Sequence, residues 1–435
     1  MIEFSPLTIG SIGIVALLAL CFAGVRFAFA GAIVGTTGLV WLIGWDAGIR
    51  TAGIAPYTSG ANYTLSVLPM FILIGYLAYY AGITQSAFEA ARRWFGWLPG
   101  GLATGTVFAV AGFSAVSGAS SAAAAVFAKV AIPEMLKAGY NKRLAAGVVA
   151  AGATLDSLIP PSALLVVYGI ITEQSVGKLL VAGFAPGIFS AFVYTAIILV
   201  MCWRNPEYGK PIRGYTWPQR FKSLPGTLPI VLVIAIIFYS MLFGWATPTE
   251  AGALGALCVF VIAVANGMKW PELRGALLET ARLTAVIFTV VWGVLIFVRF
   301  LGFAGLPEEI ARWVTDLKVA PIWILLSIYL IYLILGTILE GVGMFLLTLP
   351  VIFPVIEALG YDPIWFGIIL VKLNGIATLS PPVGLVVFVV NGVRPDISVA
   401  DIFRGIWPFI FADLITIACL TAWPEIVTFI LDAAG

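Results

Sequence analysis

Histidine is absent from all 435 residues. Its absence excludes Ser–His and Cys–His nucleophilic pairs, histidine-ligated metals and histidine-held haem. Charge is also scarce. Only 10% of residues are Asp, Glu, Lys or Arg, against roughly 25% in soluble domains. The 23 basic and 21 acidic residues leave a net +2, too little to draw nucleic acid or another polyanion. Four cysteines (Cys21, Cys202, Cys258, Cys419) stand apart in or beside apolar segments and read as buried, inert thiols. A GxxxxGK[ST] phosphate loop is missing, since Gly177-Lys178 has neither the upstream glycine nor the following hydroxyl. ATP hydrolysis by this chain is excluded on that ground.

What is abundant is apolar surface: 61% of residues are hydrophobic and the mean hydropathy is +1.08. Long apolar runs recur, among them residues 12–29, 181–201, 230–243, 254–265 with its flanks, and 322–339. About 20 apolar residues cross the ~30 Å hydrocarbon core, and lipid leaves helices as the natural spanning element for such runs. The expectation is an all-α polytopic membrane protein. Residues 1–8 hold Glu3 and no Lys or Arg, so the first run is expected to be a retained span rather than a signal peptide.

The second half repeats the first. Pro133 and Pro354 lie 221 residues apart, as do Gly139-Tyr140 and Gly360-Tyr361, and Pro160-Pro161 and Pro381-Pro382. With small slips, Ala91-Arg92-Arg93-Trp94 matches Ile310-Ala311-Arg312-Trp313, and Ser175-Val176 matches Ser398-Val399. A shared shift of this extent marks an internal duplication. The division that follows is N-terminal spans over 1–65, a first repeat over 66–203, linking spans and a loop over 204–280, and a second repeat over 281–435. Each repeat is expected to hold an amphipathic arm helix (84–97; 306–318), a helical hairpin (100–138; 321–359) and a proline-broken helix (142–172; 363–391).

Basic residues concentrate in cytoplasmic loops. The 205–222 segment holds Lys210, Arg213, Arg220 and Lys222; Lys269, Arg274 and Arg282 mark a second inside loop; Lys137, Lys142 and Arg143 put the base of the first hairpin inside. The second hairpin base, with Glu357 and Asp362, belongs outside. Five expected spans separate Pro133 from Pro354, so the two repeats are read as inverted, with both termini periplasmic.

Successive prolines delete backbone donors and unwind a helix. Bare carbonyls in hydrocarbon need protein, water or an ion, which is why broken helices at mid-membrane hold substrates and coupling ions in secondary transporters. Each repeat is expected to build one cation site where its hairpin tip meets its broken helix, because hydroxyl and carbonyl oxygens suit a small hard cation. The first site is assigned to Ser117, Gly118, Ser120, Thr154 and Asp156, and the second to Thr337, Glu340, Gly341, Gly375 and Thr378. Ser121, Pro160, Ser162, Ser380 and Pro381 are assigned to the substrate, an anion facing helix N-termini near Ser121, Ser162 and Val383. Asp156 and Glu340 are intramembrane acids at these sites. Lys129 and Lys372 are read as snorkelling or paired. The two Arg-Trp arm helices are expected to lie along the membrane surface and to brace a fixed scaffold against a moving, elevator-type transport domain.

The run Ser117-Gly118-Ala119-Ser120-Ser121, with Ala131-Ile132-Pro133-Glu134-Met135, Gly139-Tyr140, Leu158-Ile159-Pro160-Pro161-Ser162 and Tyr168-Gly169-Ile170-Ile171-Thr172-Glu173, resembles the large membrane subunit of tripartite ATP-independent periplasmic (TRAP) transporters. Leu347-Thr348-Leu349-Pro350, Gly360-Tyr361-Asp362-Pro363-Ile364-Trp365-Phe366-Gly367 and Pro381-Pro382-Val383-Gly384 carry the likeness through the second half. The resemblance implies a sodium-coupled elevator importer of small carboxylates in a bacterial inner membrane, with sodium as the only metal ion and no other cofactor. It implies two partners on separate chains: a small four-helix membrane subunit and a periplasmic substrate-binding protein. Relatives of this kind carry a small uncharged residue where this chain has Asp156. The alternative within the same architecture is a stand-alone sodium- or proton-coupled dicarboxylate or anion transporter. An intramembrane serine enzyme lacks a histidine to activate its serine, and a channel would show flux independent of a sodium gradient.

Overall fold

The computed structural model describes residues 4–60, 63–117, 120–212, 214–317, 319–337, 339 and 341–434. Three helices open the chain: α1 (Pro6–Phe22), α2 (Phe27–Ile43) and α3 (Trp45–Gly60). A first series follows: α4 (Val67–Tyr80), α5 (Ile83–Phe95), α6 (Gly101–Ser117), α7 (Ser120–Lys137), α8 (Lys142–Ala153), α9 (Ala163–Ile171) and α10 (Val176–Arg204). The connecting region holds α11 (Trp217–Phe221), α12 (Leu228–Leu242) and α13 (Pro248–Ala265). A second series then recurs in the same order: α14 (Trp270–Phe303), α15 (Leu306–Asp316), α16 (Pro321–Gly336), α17 (Gly341–Ala358), α18 (Pro363–Leu379), α19 (Leu385–Val393) and α20 (Val399–Ala422), before a final α21 (Glu425–Ala434). No strand occurs among the described residues.

Six of these helical segments among the described residues are long and apolar enough to cross a bilayer, including Val176–Arg204, Trp270–Phe303 and Val399–Ala422. Shorter apolar helices, such as Pro321–Gly336 and Pro363–Leu379, accompany them. At 1.5 Å per residue a 16-residue helix reaches roughly 24 Å, short of a full crossing.

The sequence places the helix ends by recognisable chemistry. Asn141 Oδ1 accepts the Arg143 N–H at 2.8 Å and starts α8; Asp362 Oδ1 accepts the Trp365 N–H at 2.7 Å and starts α18. These caps satisfy donors that have no partner within the helix. Gly82 and Gly305 precede α5 and α15 with φ of 69° and 67°, a left-handed turn that favours glycine. Both turns swing the chain out of a spanning helix into an amphipathic one carrying an Arg-Trp pair.

One expectation is corrected here. Of the residues read as a second basic loop, Lys269 lies in the short 266–269 connection, but Arg274 and Arg282 do not lie in a loop: α14 runs unbroken for 34 residues from Trp270. Pro271 sits in its first turn and Glu272 Oε2 accepts the Lys269 N–H at 2.7 Å. Those residues start a helix, so the charges ride on the extension of a span.

Most buried side chains form one core built by α4, α6–α10 and α16–α20. A second, smaller cluster joins α1, α2 and α3 to the C-terminal part of α14 and to Leu306. The arm helix α5 is tied to the hairpin by Arg92 Nη1 and Glu134 Oε2 at 3.1 Å, and to the connecting segment by Trp94 Nε1 donating to the Arg220 carbonyl at 3.2 Å. The two series are joined both at the surface and in the core. Arg143 Nε and Lys142 Nζ, opening α8, reach the two Asp401 oxygens of α20 at 2.8 and 2.7 Å. Within the core, Lys372 of α18 and Asp413 of α20 form an ion pair at 2.5 Å. The Tyr194 ring of α10 faces the same ammonium at 5.2 Å.

Candidate functional site

The double prolines break two helices, and the hydroxyls just before each break turn back onto carbonyls of their own helix. In the first series α8 tightens into a 3-10 turn over Thr154–Ser157. Thr154 Oγ1 donates to the Ala151 carbonyl at 2.8 Å, and Ser157 Oγ to the Thr154 carbonyl at 2.6 Å. In the second, Thr378 Oγ1 donates to the Gly375 carbonyl at 2.9 Å and Ser380 Oγ to the Ile376 carbonyl at 2.8 Å. The 221-residue shift lays Ser157 on Thr378 and Thr154 on Gly375. Both Pro-Pro bonds, Pro160-Pro161 and Pro381-Pro382, are cis. Beyond the breaks, α9 starts on Ser162, whose Oγ accepts the Leu165 N–H at 3.4 Å, and α19 starts on the left-handed Gly384.

The two breaks and the two hairpin tips open on one cavity of about 870 Å³. Ser120, Ser121, Asp156, Ser157 and Ser162 line it from the first series; Gly341, Val342, Asn374 and Thr378 line it from the second. Six of the residues singled out in the sequence, namely Ser120, Ser121, Asp156, Ser162, Gly341 and Thr378, therefore meet at one place.

The others are disposed around it. Thr154 and Gly375 lie behind the wall, where the two broken helices touch: a Cβ on Gly375 would stand 3.5 Å from both Ser157 Oγ and Thr154 Cβ. Thr337 Oγ1 donates back to the Ile334 carbonyl at 2.8 Å, and Ser380 is similarly turned onto its own helix. Pro160 is buried and Pro381 exposed, neither of them in the lining. Ser117 is the last residue of α6. Gly118 and Glu340 lie outside the described residues, as do Arg213 and Lys318.

Each hairpin tip makes one direct approach to its own broken helix. Ser120 Oγ donates to Asp156 Oδ1 at 2.7 Å, and Asp156 is only 4% exposed. No basic side chain pairs with it among the described residues. A carboxylate buried this deeply without a counter-charge calls for one. In the second series Gly341 abuts Asn374, whose carboxamide Oδ1 is buried and has no partner among the described residues. A buried carbonyl oxygen without a donor is poised for a donor or a cation. Carboxylate, carboxamide, hydroxyl and main-chain oxygens supply hard donors, and no group of three His, Cys, Asp or Glu side chains gathers among the described residues.

Sequence reasoning missed Asn374. It stands in an apolar helix, and the shift of 221 puts Ala153 at its counterpart, so the repeat gave it no polar partner position. The signal that could have found it was its place next to Gly375 and one turn before Thr378. Lys372 is paired, as expected; Lys129 has no ion-pair partner among the described residues and lines the cavity together with Tyr76, Tyr80 and Glu279.

Comparison with known proteins gives concordant results. The family described as the tripartite ATP-independent periplasmic transporter, DctM component, matches residues 13–426. The C4-dicarboxylate TRAP transporter large permease protein DctM of Pseudomonas aeruginosa is 32% identical over 383 residues, covering 87% of this chain and 88% of the relative. The sialic acid TRAP transporter large permease protein SiaM of Vibrio cholerae is 32% identical over 416 residues, covering 94% and 95%. Among solved structures, the antimetabolite efflux pump MtrF of Neisseria gonorrhoeae aligns with a TM-score of 0.62 at 14% identity, covering 97% of this chain and 95% of that one. That likeness speaks for the fold alone.

Proposed function

Because this chain belongs to the DctM-component family of tripartite ATP-independent periplasmic transporters, we propose that it is the large permease of a secondary importer that couples uptake of a small organic acid to sodium influx. Proteins of this family are transporters rather than enzymes. The observation that carries the proposal is the cavity in which both hairpin tips and both helix breaks present oxygen ligands. Sodium is held by Ser120, Asp156 and neighbouring carbonyls in the first site, and by Gly341, Gly375, Thr378 and the Asn374 carboxamide in the second. The acid lies between them, against Ser121 and Ser162 at the α7 and α9 starts, where helix dipoles favour negative charge.

The amphipathic helices α5 and α15 are the arms of an elevator. Hairpins and broken helices move as a unit against the scaffold of α1–α4 and α12–α14. Transport then needs no ATP: the sodium gradient supplies the energy, and the bound cations complete the anion site. The protein lies in a bacterial inner membrane with the Lys- and Arg-bearing start of α14 in the cytoplasm and both termini in the periplasm. Its partners are a small four-helix membrane subunit and a periplasmic binding protein, each a separate chain. Relatives named for C4-dicarboxylates and for sialic acid support acids of that range as the substrate class.

The test is uptake of labelled acid into proteoliposomes holding this chain and its small partner, with binding protein outside, with and without an inward sodium gradient. Uptake that needs both gradient and binding protein is expected. Uptake that persists without binding protein would favour the stand-alone carrier instead.

A further inference from the structure

The cavity extends well past the helix breaks. On α7 its lining residues Ala122, Ala125, Val126 and Lys129 recur at the spacing of one helix face. That face runs from Ser120 at the hairpin tip to Lys129, nine residues on and therefore roughly 13 Å away. Small side chains keep the path open, and Lys129 stands at its end. On the facing wall α14 lines the cavity from Val290 back to Glu279. Tyr80 of α4 closes this corner, its hydroxyl 2.8 Å from where a Cβ on Gly275 would lie, one turn before Glu279.

Two acids and one base thus line the cavity among the described residues: Asp156 inside, Glu279 and Lys129 at the outer part. Glu279 faces Arg282 on its own helix at 3.8 Å. Lys129 is exposed to the cavity and has no carboxylate within ion-pair distance among the described residues. Some basic side chains find acids, Lys372 with Asp413, Lys142 and Arg143 with Asp401, Arg92 with Glu134, and others do not; what sets Lys129 apart is its place as the one base in the cavity lining among the described residues. An ammonium facing a partly open path without its own counter-ion draws anions to its side of that path.

We propose that Lys129 is a specificity-determining residue of the transport path, receiving the carboxylate of the substrate between the helix breaks and the mouth formed by Tyr80 and Glu279. The inference rests on the reading of the chain as an organic-acid carrier and adds a second anion position to it. Glu279 repels the same carboxylate from the α14 wall and keeps it on the α7 side. Lysine suits a passing contact, because its ammonium is a hydrated point charge on a flexible stem, without the two-pronged grip of arginine. Since Lys129 rides on a hairpin limb and Glu279 on α14, a shift of α7 against α14 separates the receiving charge from the repelling one.

The experiment uses inverted membrane vesicles holding the full chain with its small partner, loaded with the periplasmic binding protein and labelled succinate or sialic acid, the acids of the two relatives' classes. Exchange is started by unlabelled acid added outside, which meets the cytoplasmic mouth. Lys129→Gln should raise the half-saturating acid concentration about tenfold while maximal exchange stays within about twofold. Lys129→Arg should restore it to within about threefold. Glu279→Gln should leave it unchanged or lower it, which separates a charge effect from a packing defect. An unaltered half-saturation in Lys129→Gln, or equal losses in the Gln and Arg variants, overturns the inference while the transport reading stands. Wild-type vesicles that carry neither acid, despite correct insertion, take down the transport reading and this inference with it.

Discussion

Gly341 and Asn374 meet with no room for a methyl group between them: a Cβ on Gly341 would stand 2.6 Å from Asn374 Oδ1 and 2.8 Å from Nδ2. The second hairpin tip is thereby fitted onto its broken helix at a residue 5% exposed. Gly341→Ala must displace the amide, a change of overpacking type that costs about 1–3 kcal/mol. If Asn374 holds the cation, half-saturating sodium should rise about tenfold, and Gly341→Ala/Asn374→Ala should regain stability without regaining sodium affinity. Sodium titration of uptake decides this; wild-type sodium dependence in Gly341→Ala sinks the assignment.

The first tip is fitted by a bond rather than by a void. Ser120 Oγ–H points at Asp156 Oδ1, and hydrogen bonds to charged groups contribute about 1.5–3 kcal/mol. Ser120→Ala should raise half-saturating sodium by about tenfold or more, and Asp156→Asn by more than Ser120→Ala. Equal sodium curves for Asp156→Asn and the parent chain would remove Asp156 from the site.

Lys372 and Asp413 are 1% and 0% exposed, so either charge left alone has nowhere to be solvated. Lys372→Met and Asp413→Leu should each destabilise by about 3–5 kcal/mol, while the double variant recovers most of that loss. Thermal melting of the purified protein in detergent reads the cycle. Additive losses would mean that the two charges do not depend on one another.

Gly82 and Gly305 hold φ near +70° ahead of the two arm helices. Alanine at either position should cost about 1–2 kcal/mol, and the two substitutions should act alike. Denaturant titration checks both magnitude and equality.

Tyr140, in the turn between α7 and α8, accepts the Leu102 N–H at 3.1 Å. Burial pushes its phenol from 10.0 up to about 12. The fold holds the neutral form, so this contribution is intact below pH 10 and is lost as pH rises through about 12. Tyr140→Phe should be less stable than the parent near neutrality, because a buried N–H loses its acceptor. Its further decline between pH 10 and 12 should be shallower, as pH-dependent melting will register.

Much of this protein can be read from one dimension. Hydropathy alone requires a many-spanning helical chain, because every backbone group in lipid must be satisfied within its own segment. Prolines and capping residues then punctuate it: α8 and α18 begin on Asn141 and Asp362, and both helices end before Pro-Pro. Lack of histidine and of a phosphate loop removes whole classes of chemistry. These are local facts, set by which backbone groups each residue supplies or withholds, and a repeat of 221 residues states them twice.

The tertiary structure decided what comes together. No periodicity announces that Lys372 faces Asp413 across 41 positions, or that Asn374 presses on Gly341. Nor could basic residues before a span disclose that they ride on an unbroken α14, since charge marks polarity and not the end of a helix. Ser120, Asp156, Gly341 and Thr378 were each legible as polar breaks in apolar runs. Their meeting at mid-membrane was expected from the repeat; which side chains face the cavity and which turn back onto their own helices was not, because that depends on how two hairpins and two broken helices pack side chain against side chain.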